Sequence, residues 1–415
     1  MTRSPRRLAC AALAALLLVP LARAADAPPP AGEVILDMDA VRHKPAEVTD
    51  AKKQKVPVGT AELVDGHTGK AVRFAFTQPS AGFMTAAVRG QPSWDKADGF
   101  SFWVRGAADG AQWGGIELVD RDDFGLRYAC CFPVAGKDWQ KVTVRWDEMT
   151  PELKNPLMGG PGGYQPSHLG QFWFGRWYYW GGYPAVTFDV DDVRLEPKID
   201  RPPLPAAGEG LARVRAKLKA KQPITVVTMG DSLTDTRHWA NRKGNWPAML
   251  AEAVKAKHGS AVTVVNPAVG GTALNQNLVT MPKWSADAPK PDLVTILFGG
   301  NDWDNGVRGE RFEEYLRLAV DRVRRQTDGS ADVLLLTTCP AHARWETYKE
   351  LEDAVREVAK EKHVAVGDVA GEFRKTGGTP DEALKQEMWV WDKVHLGPKG
   401  HELVRDVVMN ALGSD

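Results

Sequence analysis

The chain reads as two domains of different class: an all-β sandwich over residues 33–197 and a three-layer α/β/α domain built on a parallel sheet over residues 223–415. Three observations predict this. Short runs of period-two alternation fill the first half, as half-buried strands require. Continuous apolar runs alternate with amphipathic helical patterns in the second. Between them, "KIDRPPLPAAGEG" (Lys198–Gly210) gathers three Pro without apolar periodicity, which marks a linker, and a connecting helix, "LARVRAKLKAK", completes the 198–222 segment.

The alternating runs are "AVRFAF", "GFSFWVR", "GGIELVD", "KVTVRW", "FWFGRWYYW" and "VTFDVDDVRL", separated by Gly, Pro and Asp clusters. A succession of such runs without helical stretches means packed antiparallel sheets. Cys130 and Cys131, adjacent on a strand, point to opposite faces as two small buried hydrophobes. In the second half the expected strands are "ITVVT" (224–228), "VTVVN" (262–266), "LVTILF" (293–298), "VLLLTT" (333–338) and "VAVGDV" (364–369). One helix places Phe312, Tyr315, Leu316, Ala319, Val320 and Val323 on a single face, and another does so with Tyr348, Leu351, Ala354, Val355 and Val358. A last helix buries Leu403, Val404, Val407, Val408 and Leu412. There is no internal repeat.

The first 24 residues, "MTRSPRRLACAALAALLLVPLARA", join a basic start to an apolar run and an A-x-A site, the pattern of an export signal. The apolar run is too short for a permanent membrane span. A secreted or periplasmic location is the expectation, with no membrane contact in the mature chain. Removing this segment takes away four Arg and no acid, so 49 of the 53 basic residues face 53 acidic ones. That balance offers no electrostatic reason to bind nucleic acid. Of the four Cys, Cys130, Cys131 and Cys339 remain, an odd number and no disulfide framework.

Ligand crevices of open parallel sheets lie beyond the carboxyl ends of the strands. The loops that follow the first three strands carry "MGDSLTD" with Ser232, "NPAVGGTAL" with Gly270 and Gly271, and "GGNDWD" with Asn301. A hydroxyl, unobstructed backbone amides and a side-chain amide are what acyl transfer needs, since a nucleophile must attack and donors must await the oxyanion. Serine also needs a base and a group to orient it. "WVWDKVHLGPKGH" (389–401) supplies Asp392 and His395 before the final helix.

With these residues the second half, from about Ile224 to Leu412, resembles the SGNH (GDSL) hydrolases. Gly230-Asp231-Ser232-Leu233, Asn266 with Gly271, Gly300-Asn301-Asp302 and Asp392-x-x-His395 stand in the family's order. The resemblance implies a flavodoxin-like sheet, Ser232 as nucleophile, His395 as base and Asp392 as its orienting carboxylate. It also implies an oxyanion hole from the Ser232 and Gly271 N–H groups and the Asn301 amide. One position departs from the pattern: Ala268 stands where the family often has Gly. Ser232 lies in G-x-S-x-T, so it is not the nucleophile elbow of the α/β-hydrolases.

Trp303 and Trp391 are candidate sugar-stacking walls, with Trp239 and Trp389 less so; Asp231, Arg237 and Asp302 are candidate polar contacts to substrate. The nine His show no metal-ligand spacing, and His401 reads as a helix residue. No cofactor is expected. The first half is similar in pattern to jelly-roll carbohydrate-binding modules, most visibly in "KADGFSFWVRG" and "DWQKVTVRWDEM". Its eight Trp imply some aromatic residues on a binding face. Asp191 and Asp192, with Asp37 or Asp39, are acids that a structural Ca²⁺ would accept, though turn acids without an ion are the simpler reading. The expected activity is therefore an exported esterase removing acetyl groups from polysaccharides or oligosaccharides. An O-acyltransferase, a lipase or thioesterase, and a non-catalytic polysaccharide-binding protein are the alternatives.

Overall fold

A computed structural model describes residues 32–109, 111–152, 165–206 and 208–413. Residues 1–24, expected to act as an export signal, lie outside them. Among the described residues no helix is long and apolar enough to cross a membrane.

The first half forms two six-stranded antiparallel sheets. One contains Gly99–Gly106, Gln140–Arg145, Val186–Glu196, Lys70–Phe76 and Gly59–Asp65; the other contains Arg127–Ala135, Ala111–Asp120, Leu169–Arg176 and Gly82–Ala87. The chain crosses repeatedly between them, as a jelly roll does. Alternation explains the packing: Phe74, Phe76, Phe100, Phe102 and Phe188 from one sheet meet Phe132, Phe172 and Phe174 from the other in a single buried cluster. Each fully buried Phe contributes roughly 1.5–3 kcal/mol by area. "FWFGRWYYW" ends as a strand at Arg176, because Tyr178–Trp180 form one 3₁₀ turn closed by Gly181 in the left-handed region. Strands Gly59–Asp65, Gly82–Ala87 and Arg127–Ala135 were only weakly marked by alternation.

The second half is a five-stranded parallel sheet in the order Val262–Val265, Ile224–Gly230, Leu293–Leu297, Asp332–Leu336, Ala365–Gly367. Every residue of the two strands Leu293–Leu297 and Asp332–Leu336 is buried, because helices cover both faces. Helices Leu274–Asp287, Gly309–Gln326 and Lys349–Glu361 pack on one face. Ala212–Lys219, Trp246–His258, Val369–Gly377 and Pro398–Gly413 pack on the other. The last strand is shorter than its apolar run because Asp368 caps the next helix, accepting from the Gly371 N–H at 3.1 Å. The order reverses beside Ile224–Gly230, so the crevice of a doubly wound sheet falls between the loops after this strand and after Leu293–Leu297.

Candidate active site

Ser232 follows the first parallel strand. Gly230 ends that strand where a Cβ would lie 2.3 Å from Thr234 Oγ1, and the turn closes through Thr234 and Asp235 N–H groups on the Asp231 carbonyl at 3.0 and 2.8 Å. Buried Asn241 donates to the Ser232 carbonyl at 2.7 Å and to the Asp235 carbonyl at 2.7 Å. The Ser232 backbone is therefore held independently of its hydroxyl.

Asp392 and His395 sit in a small closed loop. Trp389 and Leu396 form an antiparallel bridge, the Val390 N–H donates to the His395 carbonyl at 2.8 Å, and the Gly397 N–H to the Met388 carbonyl at 3.0 Å. The Asp392 carboxylate receives the Val394 and His395 N–H groups at 2.9 and 3.0 Å. Its other oxygen lies 2.5 Å from His395 Nδ1, and His395 Nε2 lies 2.9 Å from Ser232 Oγ. Burial raises the Asp392 pKa, but the bonds from His395 and Val394 outweigh it and leave the carboxyl below its ordinary value. The carboxylate is thus ionised beside the imidazole.

Gly271 has φ of +79°, and a Cβ there would meet no atom within 4 Å. Space does not require glycine here; the left-handed backbone does. Among the described residues, no partner engages the N–H of Ser232 or Gly271. Asn301 donates from Nδ2 to the Thr272 carbonyl at 3.0 Å, with a long 3.4 Å contact to Asp231. Ser232 and Asn301, the latter in the short helix Gly300–Asp304, line a cleft of about 450 Å³ whose other walls include Asp304, Ala341, His342, Arg344, Tyr348 and Lys393; Gly271 stands in the turn whose Thr272 carbonyl Asn301 holds.

The structure places the candidate substrate contacts differently from one another. Asp231 is largely buried, its carboxylate accepting the Leu233 N–H at 2.9 Å and lying 3.4 Å from Asn301 Nδ2, and it forms part of the cleft wall. Asp302 is wholly buried and accepts the Leu274 N–H at 3.0 Å. Arg237 is committed to Asp235 at 2.9 Å and to the Ala268 carbonyl at 2.7 Å. Trp303 has the Arg308 guanidinium 3.6 Å over its ring, which closes that face to a sugar. Trp389, 2% exposed, is a core residue whose indole donates to the Pro340 carbonyl at 2.9 Å. Trp391 is the opposite case, 80% exposed and stacked on Trp239 at 5.7 Å.

One neighbour escaped the sequence reading: His238 stacks on His395 with centroids 4.4 Å apart. Burial, then the charge of His395, lowers its pKa, so it stands neutral against the second ring. Its only signal was its place in the Ser232 loop. His401 is buried, pushed down to about 4 by burial, and its Nδ1 accepts the first helical N–H of Trp246 at 3.3 Å.

The four aspartates considered for Ca²⁺ do not converge among the described residues. Asp191 accepts the Thr68 N–H, Asp192 pairs with Arg194, Asp39 accepts the Lys70 N–H and Asp37 pairs with Arg42. Asp120, Asp122 and His168 are the group whose ligand atoms approach within 4.8 Å of one another.

Beneath the crevice lie two acids with raised pKa. Burial pushes Asp302 up to about 7 against its Leu274 bond, with Asp231 adding to the shift. Burial likewise pushes Asp231 up to about 6. An unfolded Asp releases its proton near 3.8. Between that pH and 7 the folded protein holds a proton that the unfolded chain has lost, so Asp302 makes stability fall as pH rises through the window. Asp302→Asn keeps the acceptor and never ionises. Its melting temperature relative to the wild type should therefore rise between pH 5 and pH 8; a pH-independent difference would show that Asp302 does not titrate there.

The model of the GDSL-like Lipase/Acylhydrolase family matches residues 228–403. An arylesterase of Vibrio mimicus is 36% identical over 84 residues, covering 20% of this chain and 39% of the relative, so the match spans about two fifths of that protein. Among solved structures, an acetylxylan esterase from Geobacillus stearothermophilus is 20% identical with a TM-score of 0.39, covering 48% of this chain and 97% of its own. A family 11 carbohydrate-binding module from Clostridium thermocellum, in complex with a β-1,3-1,4-mixed-linked tetrasaccharide, is 15% identical with a TM-score of 0.33, covering 41% of this chain and 99% of its own.

Proposed function

From the premise that residues 228–403 form a GDSL-like lipase/acylhydrolase family domain, we propose that the protein is an exported serine esterase that removes O-acetyl groups from polysaccharides or oligosaccharides. The observation that carries this reading is the Ser232–His395–Asp392 hydrogen-bonded chain at 2.9 and 2.5 Å.

In the proposed reaction Ser232 Oγ attacks the acetyl carbonyl while His395 Nε2 takes its proton. The oxyanion is received by the Ser232 and Gly271 N–H groups and by the Asn301 hydrogen that makes only the long contact to Asp231. Collapse breaks the C–O bond to the sugar, and His395 returns the proton to the departing hydroxyl. Water, deprotonated by His395, then attacks the acetyl-enzyme and releases acetate and free Ser232. Asp392 keeps the Nδ1–H tautomer throughout.

Substrate class is read from the walls: the cleft of about 450 Å³, with Asp304, His342, Arg344 and Lys393 among its walls beside apolar Ala341 and Val394, accommodates a small acyl group next to a polar carrier. The exposed Trp239–Trp391 pair, with Trp239 edge-on to His395 at 5.6 Å, supports a sugar ring stacked on the leaving-group side. Export rests on the first 24 residues and fits a polymer met outside the cell.

The test is acetate release from a panel of acetylated polysaccharides beside p-nitrophenyl esters of increasing chain length. Acetate should be released into water, with short chains preferred; transfer of acetyl to added sugar would make the protein an acyltransferase. Trp391→Ala should raise KM for an acetylated oligosaccharide by about fivefold, in line with a lost stacking contact of ~1 kcal/mol. Turnover of p-nitrophenyl acetate should stay within about twofold. Equal losses on both esters would remove Trp391 from sugar binding.

A further inference from the structure

We propose that the β-sandwich braces the turn carrying Gly271, and that Tyr178 and Gln276 are the positioning residues through which it does so. This deepens, and as regards catalysis rests on, the esterase reading.

Part of the aromatic surface of the sandwich is covered by the other half. Of the eight Trp in the sandwich, Trp94, Trp146, Trp173, Trp177 and Trp180 are buried. Trp177, Tyr179 and Trp180 pack with Ala129 and Cys131 against Val279 of the helix Leu274–Asp287. Cys130 faces the sandwich core instead, so the adjacent thiols do point to opposite sides. Polar contacts pin the same helix. Asn275 Nδ2 donates to the Pro151 carbonyl at 3.0 Å, and Lys283 lies 4.8 Å over the Trp180 ring. From the neighbouring helix, Arg322 donates to Leu278 and Glu148 carbonyls and to Thr150 Oγ1 at 2.9, 2.7 and 2.7 Å. Even the Pro-rich segment between the halves is tied down, with Arg325 reaching the Pro202 carbonyl and Arg201 pairing with Asp147.

This helix begins immediately after the Gly271 turn. Gln276, 2% exposed, accepts the Ala273 N–H on Oε1 at 3.0 Å and donates from Nε2 to the Tyr178 hydroxyl. Thr272 is held at its hydroxyl by Asn277 and at its carbonyl by Asn301. Gly270 donates to Asp235 at 3.1 Å, and Asp235 is held by Arg237. Arg237 in turn fills the space beside Gly181, where a Cβ would lie 3.3 Å from its Nη1. The turn is thus fastened on both sides of Gly271, and the fastening through Gln276 ends on Tyr178 in the sandwich turn Trp177–Gly181, beside which Arg237 also lies. The Gly271 N–H is left free in the middle. A donor so held is preorganised, and misplacement by an ångström can cost about 10²-fold in rate.

The experiment compares wild type, Tyr178→Phe, Gln276→Leu and the double variant in the full chain. Amide hydrogen exchange is read in the peptide covering 266–273, and kcat and KM are measured on p-nitrophenyl acetate. Tyr178→Phe keeps the ring packing and removes only the hydroxyl. Exchange in 266–273 should accelerate while the melting temperature holds. At the same time kcat should fall about three- to tenfold with KM within about twofold. Gln276→Leu should fall further, and the double variant no further than Gln276→Leu, because both act through one chain of contacts. Unchanged exchange in 266–273, or kcat losses that merely track a lowered melting temperature, would overturn the brace. Accelerated exchange in a protein that hydrolyses no ester, wild type included, would uphold the brace and overturn the esterase reading.

Discussion

Ser232→Ala reduces hydrolysis of p-nitrophenyl acetate to background, a loss on the order of 10⁵–10⁶ in kcat if the serine acts as the sole nucleophile. The fold should not notice. Ser232 Oγ is joined to His395 Nε2, while the backbone is held through its carbonyl by Asn241. Melting curves of the two proteins should therefore coincide within about the shift of a 0.5 kcal/mol surface change. Acetylation of Ser232 by p-nitrophenyl acetate, seen as a burst of one acetyl per chain, should vanish with it. Turnover above roughly 1% of wild type would remove the serine from the mechanism.

Asn301→Ala gives the second large effect, about 10²–10³ in kcat with little change in KM, the loss associated with a single oxyanion donor. Two events combine in it. The amide leaves the crevice, and the Thr272 carbonyl loses its 3.0 Å partner in the turn that carries Gly271. Stopped-flow separation of acylation from deacylation should find both slowed, because both pass through an oxyanion. A raised KM with unchanged kcat would mean instead that Asn301 binds the ground state.

The parts of this site that were legible in the sequence are those that backbone order alone determines. Continuous apolar runs identify a parallel sheet, the sheet directs attention to the loops after its strands, and those loops hold Ser232, Gly271 and Asn301. What could not be read depends on neighbours distant in the chain. Trp389 and Trp391 stand two residues apart and look alike; only the Trp389–Leu396 bridge and the Pro340 carbonyl decide that the first is core. Trp303 is covered by an arginine five residues on, a choice among rotamers that periodicity does not carry. Asp231 and Asp302 read as polar loop residues and are buried, their carboxylates accepting the Leu233 and Leu274 N–H groups. The tryptophans of the sandwich are the largest case. Alternation assigns them to a face of a sheet, but whether that face meets water or another half of the protein is a property of tertiary docking. For the same reason the Pro-rich segment reads as a free linker and is held by Arg325 and Asp98.

The loop from Met388 to Gly397 has a consequence for how such sites can be transplanted. It contains Asp392 and His395, closes on itself through three backbone hydrogen bonds, from Val390 to His395, Lys393 to Val390 and Gly397 to Met388, and is anchored by the Trp389 indole, by buried Met388 and Leu396 and by the His342 N–H on the Lys393 carbonyl. The geometry of acid against base is therefore encoded within ten consecutive residues, independent of the sheet that presents them. A design scaffold that offers two antiparallel backbone positions and a socket for Trp389 would inherit an oriented imidazole ready-made, leaving only the hydroxyl to be placed.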